Sequence, residues 1–122
     1  MRVLIVDDSR TMRMILKKMV TELGHTDIAE AEHGAAALEQ IAMSMPEVAL
    51  VDWNMPVMGG QEFITAVRER RDYDCIKVMV VTSESNPRVV YEALKAGADE
   101  YAMKPITAEI ISDKLDLMGL SR

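Results

Sequence analysis

Asp7-Asp8, Asp52, Thr82-Ser83 and Lys104 are the residues of this sequence best suited to acting together, and each group stands at or just beyond a short, mostly apolar run. Val3-Leu4-Ile5-Val6 leads into the acidic pair, Val48-Ala49-Leu50-Val51 into Asp52, and Ile76-Lys77-Val78-Met79-Val80-Val81 into the hydroxyls. Three carboxylates gathered around one ammonium carry an excess of negative charge, which a divalent cation relieves. The donors are all oxygens, without histidine or thiolate, and such a set favours a hard ion: Mg²⁺, with Mn²⁺ as a substitute. A carboxylate beside that ion and a lysine can attack phosphorus, because the positive groups neutralise charge on the equatorial oxygens. Asp52 stands alone and is the candidate nucleophile, whereas Asp7 and Asp8 come as a pair suited to gripping an ion. The Thr82 hydroxyl can then donate to the attached phosphoryl group, and Lys104 can pair with it. Taken singly, an Asp-Asp pair is more often a solvated turn and Thr82 an ordinary strand-terminal hydroxyl; their joint placement carries the reading.

That placement requires a particular set of elements. The three apolar runs have the length and β-branched content of strands buried on both faces, as in a parallel sheet. Asp27 to Ala31 and Asp99 to Met103 are more polar and suit its edges. Met12, Ile15, Leu16, Met19, Val20 and Leu23 recur at helical spacing, with Arg13, Lys17 and Lys18 on other faces and Gly24 as the stop. Leu38, Ile41, Ala42 and Met45 mark a second helix ended by Pro46; Phe63, Ile64 and Val67 mark a third, with Arg68, Arg70 and Arg71 near its C-terminal end. Asn86-Pro87 caps and opens a fourth helix, through Val90, Ala93 and Leu94 to Gly97. Thr107 caps a fifth, with Ile111, Leu115 and Met118 facing inward and Gly119 closing it. Five β-α units with short connections predict an α/β sheet with right-handed crossovers and helices on both faces. Ligands of such sheets collect beyond the carboxyl ends of the strands, where the acidic groups lie.

Composition narrows the function classes. The 122 residues suit one domain, 1–122, with 49% hydrophobic and 28% charged residues, as in globular proteins. A net charge of −6 repels phosphate backbones and anionic lipid, so neither direct nucleic-acid nor membrane binding is expected. Cys75 is the only cysteine, which excludes an internal disulfide and reads as a small residue leading into a strand. There is no signal-peptide pattern and no membrane-length apolar run, so the expected location is cytoplasmic. The 11 methionines are expected mostly at core-facing positions, and His25 and His33 in loops.

The segments Val6-Asp7-Asp8-Ser9, Asp52-Trp53-Asn54-Met55-Pro56-Val57-Met58-Gly59-Gly60, Val80-Val81-Thr82-Ser83 and Met103-Lys104-Pro105 together resemble the signature regions of response-regulator receivers, especially the single-domain chemotaxis type. The resemblance covers essentially the whole chain. It implies a flavodoxin-like (βα)5 doubly wound parallel sheet in the order 2-1-3-4-5, and a cis peptide between Lys104 and Pro105. It also implies Asp52 as phosphoacceptor, with Mg²⁺ bound by Asp8, Asp52, the backbone carbonyl of Asn54 and, through water, Asp7. Thr82 and Lys104 would contact the phosphoryl group, Tyr101 would be the aromatic switch residue, and Asn54 and Glu84 would modulate dephosphorylation. Ser83, His33, Gly59 and Ile106 depart from the commonest family residues, but none removes a reacting group. The pair Gly59-Gly60 is expected to loosen the loop after Asp52.

A receiver implies a histidine kinase or phosphotransfer protein as donor, and a protein target on the face of the fourth helix, fifth strand and fifth helix. Tyr101, Lys95 and their helix-four neighbours are expected to shape that face. The expected state is a monomer, with phosphorylation-dependent dimerisation as the alternative. Such a protein phosphorylates and dephosphorylates only itself and is not a multiple-turnover enzyme. Little chain follows the fifth helix, so no output domain is expected, although a receiver piece of a regulator with transcriptional or enzymatic output stays open. A Mg²⁺-dependent aspartyl-phosphate phosphatase is disfavoured because position 54 is Asn rather than an acid/base Asp and no cap segment encloses a substrate. A nucleotide-binding flavodoxin-like domain is disfavoured because no Gly-rich phosphate loop follows the first strand of this chain.

Overall fold

Short β-branched runs become strands because both faces of each can be covered, and the elements follow in strict alternation. The computed structural model describes residues 1–120. Its strands are β1 (Arg2–Val6), β2 (Asp27–Ala31), β3 (Val48–Val51), β4 (Lys77–Thr82) and β5 (Glu100–Met103). The helices are α1 (Arg10–Glu22), α2 (Gly34–Met43), α3 (Gly60–Arg68), α4 (Pro87–Ala96) and α5 (Ala108–Leu117), with one 3-10 turn at Arg71–Tyr73. All strand pairs are parallel, in the order β2-β1-β3-β4-β5. The polar strands β2 and β5 form the edges, as their composition requires.

Alternation along the central strands splits the core into two layers. Leu4, Val6, Ala49, Val51, Val78 and Val80 pack against Ala37 and Ile41 of α2, Phe63, Ile64 and Val67 of α3, and Ala93 of α4. Val3, Ile5, Val48, Leu50, Met79 and Val81 face Leu16 and Val20 of α1 and Ile111, Leu115 and Met118, on and just after α5. No helix among the described residues is long and apolar enough to cross a membrane.

Four helices start on side-chain caps. Ser9 Oγ accepts from Met12 N, Asn86 Oδ1 from Arg88 N and Thr107 Oγ1 from Ile110 N, each satisfying an N–H that the first turn leaves open. The fourth cap is His33, whose Nδ1 accepts from Ala36 N at 3.1 Å. It opens α2 at Gly34, four residues before the apolar pattern begins, because Gly34-Ala35-Ala36-Ala37 lacks large side chains to show the period. His33 is thus a capping residue, and His25 is buried in the turn before β2.

Most methionines face the core, as expected: Met79 and Met118 are buried, and Met1, Met12, Met19, Met55 and Met58 pack against one core layer or the other. Met14, Met43, Met45 and Met103 stand exposed, as do Ile15 and Leu94. The apolar stripes of the helices are wider than the sheet surface that covers them, so only the centre of each stripe is enclosed.

Candidate functional site

Strand register brings the chemical groups to one edge. Val6 pairs with Val51, so the residues that follow, Asp7 and Asp52, emerge side by side where the strand order reverses. The Asp52 N–H donates to Val6 O at 2.9 Å and ties the two together. Val51 pairs with Val80 and Thr82 with Met103, which carries Thr82 and Lys104 round the same edge. The Lys104 N–H donates to Thr82 O at 2.9 Å, and the Lys104–Pro105 bond is cis.

Carboxylate oxygens of Asp7, Asp8 and Asp52 lie within 4.8 Å of one another. Asp7 is 1% exposed and Asp52 8%, while Asp8 opens to solvent. Lys104 Nζ lies 3.1 Å from Asp7 Oδ2 and 3.9 Å from Asp52 Oδ1, so the ammonium sits with Asp7 and borders Asp52. Burial pushes the Asp52 carboxyl above its ordinary value, and Asp7 adds to the rise. Lys104, a hydrogen bond with Thr82 and one from the Trp53 N–H oppose the shift without cancelling it. One ammonium among three acids leaves negative charge uncompensated, and an oxygen-only cluster of this size fits Mg²⁺ or Mn²⁺.

The loops around the cluster hold it in shape. Asp7 Oδ1 accepts from the Ser9 N–H at 2.9 Å. Gly60 N donates to Trp53 O at 2.9 Å, and a Cβ at Gly60 would lie 2.7 Å from Asp52 O and 2.9 Å from Trp53 Cα. Gly60 is therefore needed for the close approach of α3 to the Asp52 backbone and does not loosen this loop. Gly59 is ordinary extended backbone, and the unusual residue is Val57, with φ of 68°. Asn54 is exposed and shares with Asp8 a shallow groove of about 490 Å³ running to the start of α3.

A second set of contacts leads away from the cluster. Thr82, 1% exposed, accepts the Glu84 N–H on Oγ1 at 3.3 Å, and its hydroxyl favours the ionised Asp52 carboxyl. The Tyr101 hydroxyl donates to Glu84 O at 2.5 Å, and its ring packs against the layer containing Val80. Burial first, then the charges of Glu84 and Asp52, raise the Tyr101 pKa. Tyr101 also borders an apolar depression of about 390 Å³ that runs to Met103, Ile110 and Lys114, on the face of α4, β5 and α5. Lys95 lies elsewhere on α4, over the ring of Tyr91.

Sequence reasoning brought Asp7, Asp8, Asp52, Thr82 and Lys104 to this edge, and all five are there. It missed Arg13, assigned merely to an outer face of α1. Its Nη1 donates to Asp7 O at 2.7 Å and its Nε to Glu30 Oε1 at 3.2 Å. The available signal was a cation four residues after the Ser9 cap, one turn from the acidic pair.

Residues 3–116 match the model of the response regulator receiver domain. A chemotaxis protein CheY homolog of Campylobacter jejuni is 42% identical over 121 residues, covering 98% of this chain and 93% of that one. The structure of Vibrio cholerae chemotaxis protein CheY4 superposes with a TM-score of 0.88 at 31% identity, covering 95% of this chain and 96% of that one. The signal receiver domain of the response regulator NarL from Mycobacterium tuberculosis gives 0.85 at 32% identity, with 99% and 97% covered.

Proposed function

The chain belongs to the response-regulator receiver family, and on that premise we propose that Asp52 is the residue on which it accepts a phosphoryl group. The protein is a phosphorelay switch that modifies itself, not a multiple-turnover enzyme on an external substrate. The observation carrying the assignment is the meeting of Asp7, Asp8 and Asp52 with Lys104 at the point where the strand order reverses.

In the proposed transfer an Asp52 carboxylate oxygen forms a bond to phosphorus as the bond from phosphorus to the donor's histidine nitrogen breaks. The released imidazole keeps that electron pair. Asp8, Asp52, the Asn54 carbonyl and, through water, Asp7 would hold Mg²⁺, which would supply positive charge to offset the oxygens of the transferring group. Lys104 Nζ, already between Asp7 and Asp52, reaches the attached phosphoryl group by a small shift. The Thr82 hydroxyl turns from the Asp52 carboxylate to the new phosphoryl oxygens, which are stronger acceptors. Asn54 and Glu84, two residues beyond Asp52 and Thr82, govern how water approaches the phosphoaspartate.

A histidine kinase or phosphotransfer protein is the donor, and the target docks on the face of α4, β5 and α5. The chemotaxis proteins among the relatives favour a chemotaxis-type output. A second reading, a receiver unit serving a larger regulator, is favoured by the likeness to the NarL receiver domain. Incubation with Mg²⁺ and a small-molecule phosphodonor should give an alkali-labile, hydroxylamine-sensitive adduct of one phosphoryl group, located on Asp52 by mass spectrometry and absent from Asp52→Asn. A full-yield adduct on Asp52→Asn would remove the assignment.

A further inference from the structure

We propose that Arg13 is a positioning residue for the cation site, acting on the backbone of Asp7 and itself held by Glu30. The proposal rests on the reading of Asp7, Asp8 and Asp52 as the cation-binding cluster. Arg13 does not touch that cluster's carboxylates. Its Nη1 donates to the backbone carbonyl of Asp7 at 2.7 Å, and its Nε donates to Glu30 Oε1 at 3.2 Å.

Asp7 is fastened at four points. Its N–H donates to Ala31 O at 3.1 Å, its Oδ1 accepts from Ser9 N, its Oδ2 accepts from Lys104 Nζ, and its carbonyl is taken by Arg13. The carbonyl bond matters most for Asp8, because the Asp7 carbonyl and the Asp8 nitrogen belong to one rigid peptide plane. Turning that plane swings the exposed Asp8 side chain relative to Asp7 and Asp52. A guanidinium can grip a carbonyl and a carboxylate at once through separate donors, which makes it a strut between β2 and the loop after β1. Its side chain is only 15% exposed, so the bonds are shielded from competing water. Lys17 touches the other Glu30 oxygen at 3.6 Å but is half exposed and makes no contact with Asp7.

The sign of the effect separates positioning from simple charge. Arg13 is a cation near a cation site, so by Coulomb's law alone its removal strengthens binding of a dication. Positioning has the opposite consequence, since an unfastened peptide plane must be ordered each time the ion binds. Groups that orient metal ligands without touching the metal characteristically alter affinity by about tenfold or more.

The experiment titrates the full chain with Mg²⁺ alone, read by calorimetry and by the fluorescence of Trp53, which lines the groove beside Asp8. Arg13→Ala is expected to weaken binding about tenfold, with Lys17→Ala unchanged or slightly tighter. Glu30→Gln, which removes the charge holding Arg13 but keeps an acceptor oxygen, is expected to weaken binding by less and serves if Arg13→Ala does not fold. Arg13→Ala binding as well as wild type or better would overturn the proposal, as would an equal weakening in Lys17→Ala or no weakening in Glu30→Gln. Absence of Mg²⁺ binding by the wild type would instead bring down the cation-site reading itself.

Discussion

At Asp52 the forces on one carboxyl group oppose each other, and burial with Asp7 outweighs Lys104, Thr82 and the Trp53 N–H. A folded-state pKa above the ordinary 3.8 means that the folded protein binds this proton more tightly than the unfolded chain does. The group's favourable contribution is then complete below 3.8 and is lost as pH rises through the folded value. At neutral pH, ionised Asp52 therefore opposes folding, and Asn at this position relieves the opposition. In EDTA, Asp52→Asn should be more stable than wild type at neutral pH, with the gap narrowing as pH falls towards 3.8. Saturating Mg²⁺ should reverse the order: a ligand at a hundred times its Kd stabilises by about 2.7 kcal/mol, and Asp52→Asn binds it less well. Urea denaturation with EDTA and with Mg²⁺ reads both effects. Equal stability of the two proteins in EDTA would mean that Asp52 is not strained by its charge.

Elements differ in how much of themselves the residues disclose. The strands were legible because runs of four to six apolar residues fit nothing else between turn signals, and Asn86-Pro87 and Thr107 stated their helix starts outright. The start of α2 was hidden, since an Ala-rich turn has no period and a histidine cap is uncommon. The loop after β3 was misjudged: its glycines drew attention, whereas the strained residue is Val57, a β-branched side chain in the left-handed region. Val57 is 78% exposed, so its burial contributes little to offset a left-handed penalty of roughly 1–2 kcal/mol. Val57→Asn should consequently raise stability by about 1 kcal/mol, or about 4 °C in Tm. Thermal unfolding checks this, and a Tm at or below wild type would show that the loop gains from the valine.

Over the whole molecule, the order of strands was the least legible feature, because pairing between β1 and β3 depends on the direction of crossovers and leaves no local trace. Resemblance supplied that order, and the order in turn places Thr82 and Tyr101 on neighbouring strands facing one layer. The Glu84 segment links them: its N–H bonds Thr82 and its carbonyl accepts from Tyr101. The described arrangement thus has the loop drawn towards Asp52 and the Tyr101 ring held against it. Tyr101→Phe keeps the ring and removes the bond, worth ~1 kcal/mol, which shifts a two-state equilibrium roughly fivefold. Amide exchange across residues 83–86 should accelerate by about that factor in unphosphorylated Tyr101→Phe. Adding beryllofluoride with Mg²⁺ should narrow the difference, because a phosphoryl-like group gives Thr82 a stronger partner and draws the loop in from the other end. Matching exchange in the two proteins before the mimic is added would show that Tyr101 rides on the loop without biasing it, and the route from Asp52 to the α4, β5 and α5 face would have to run through other residues.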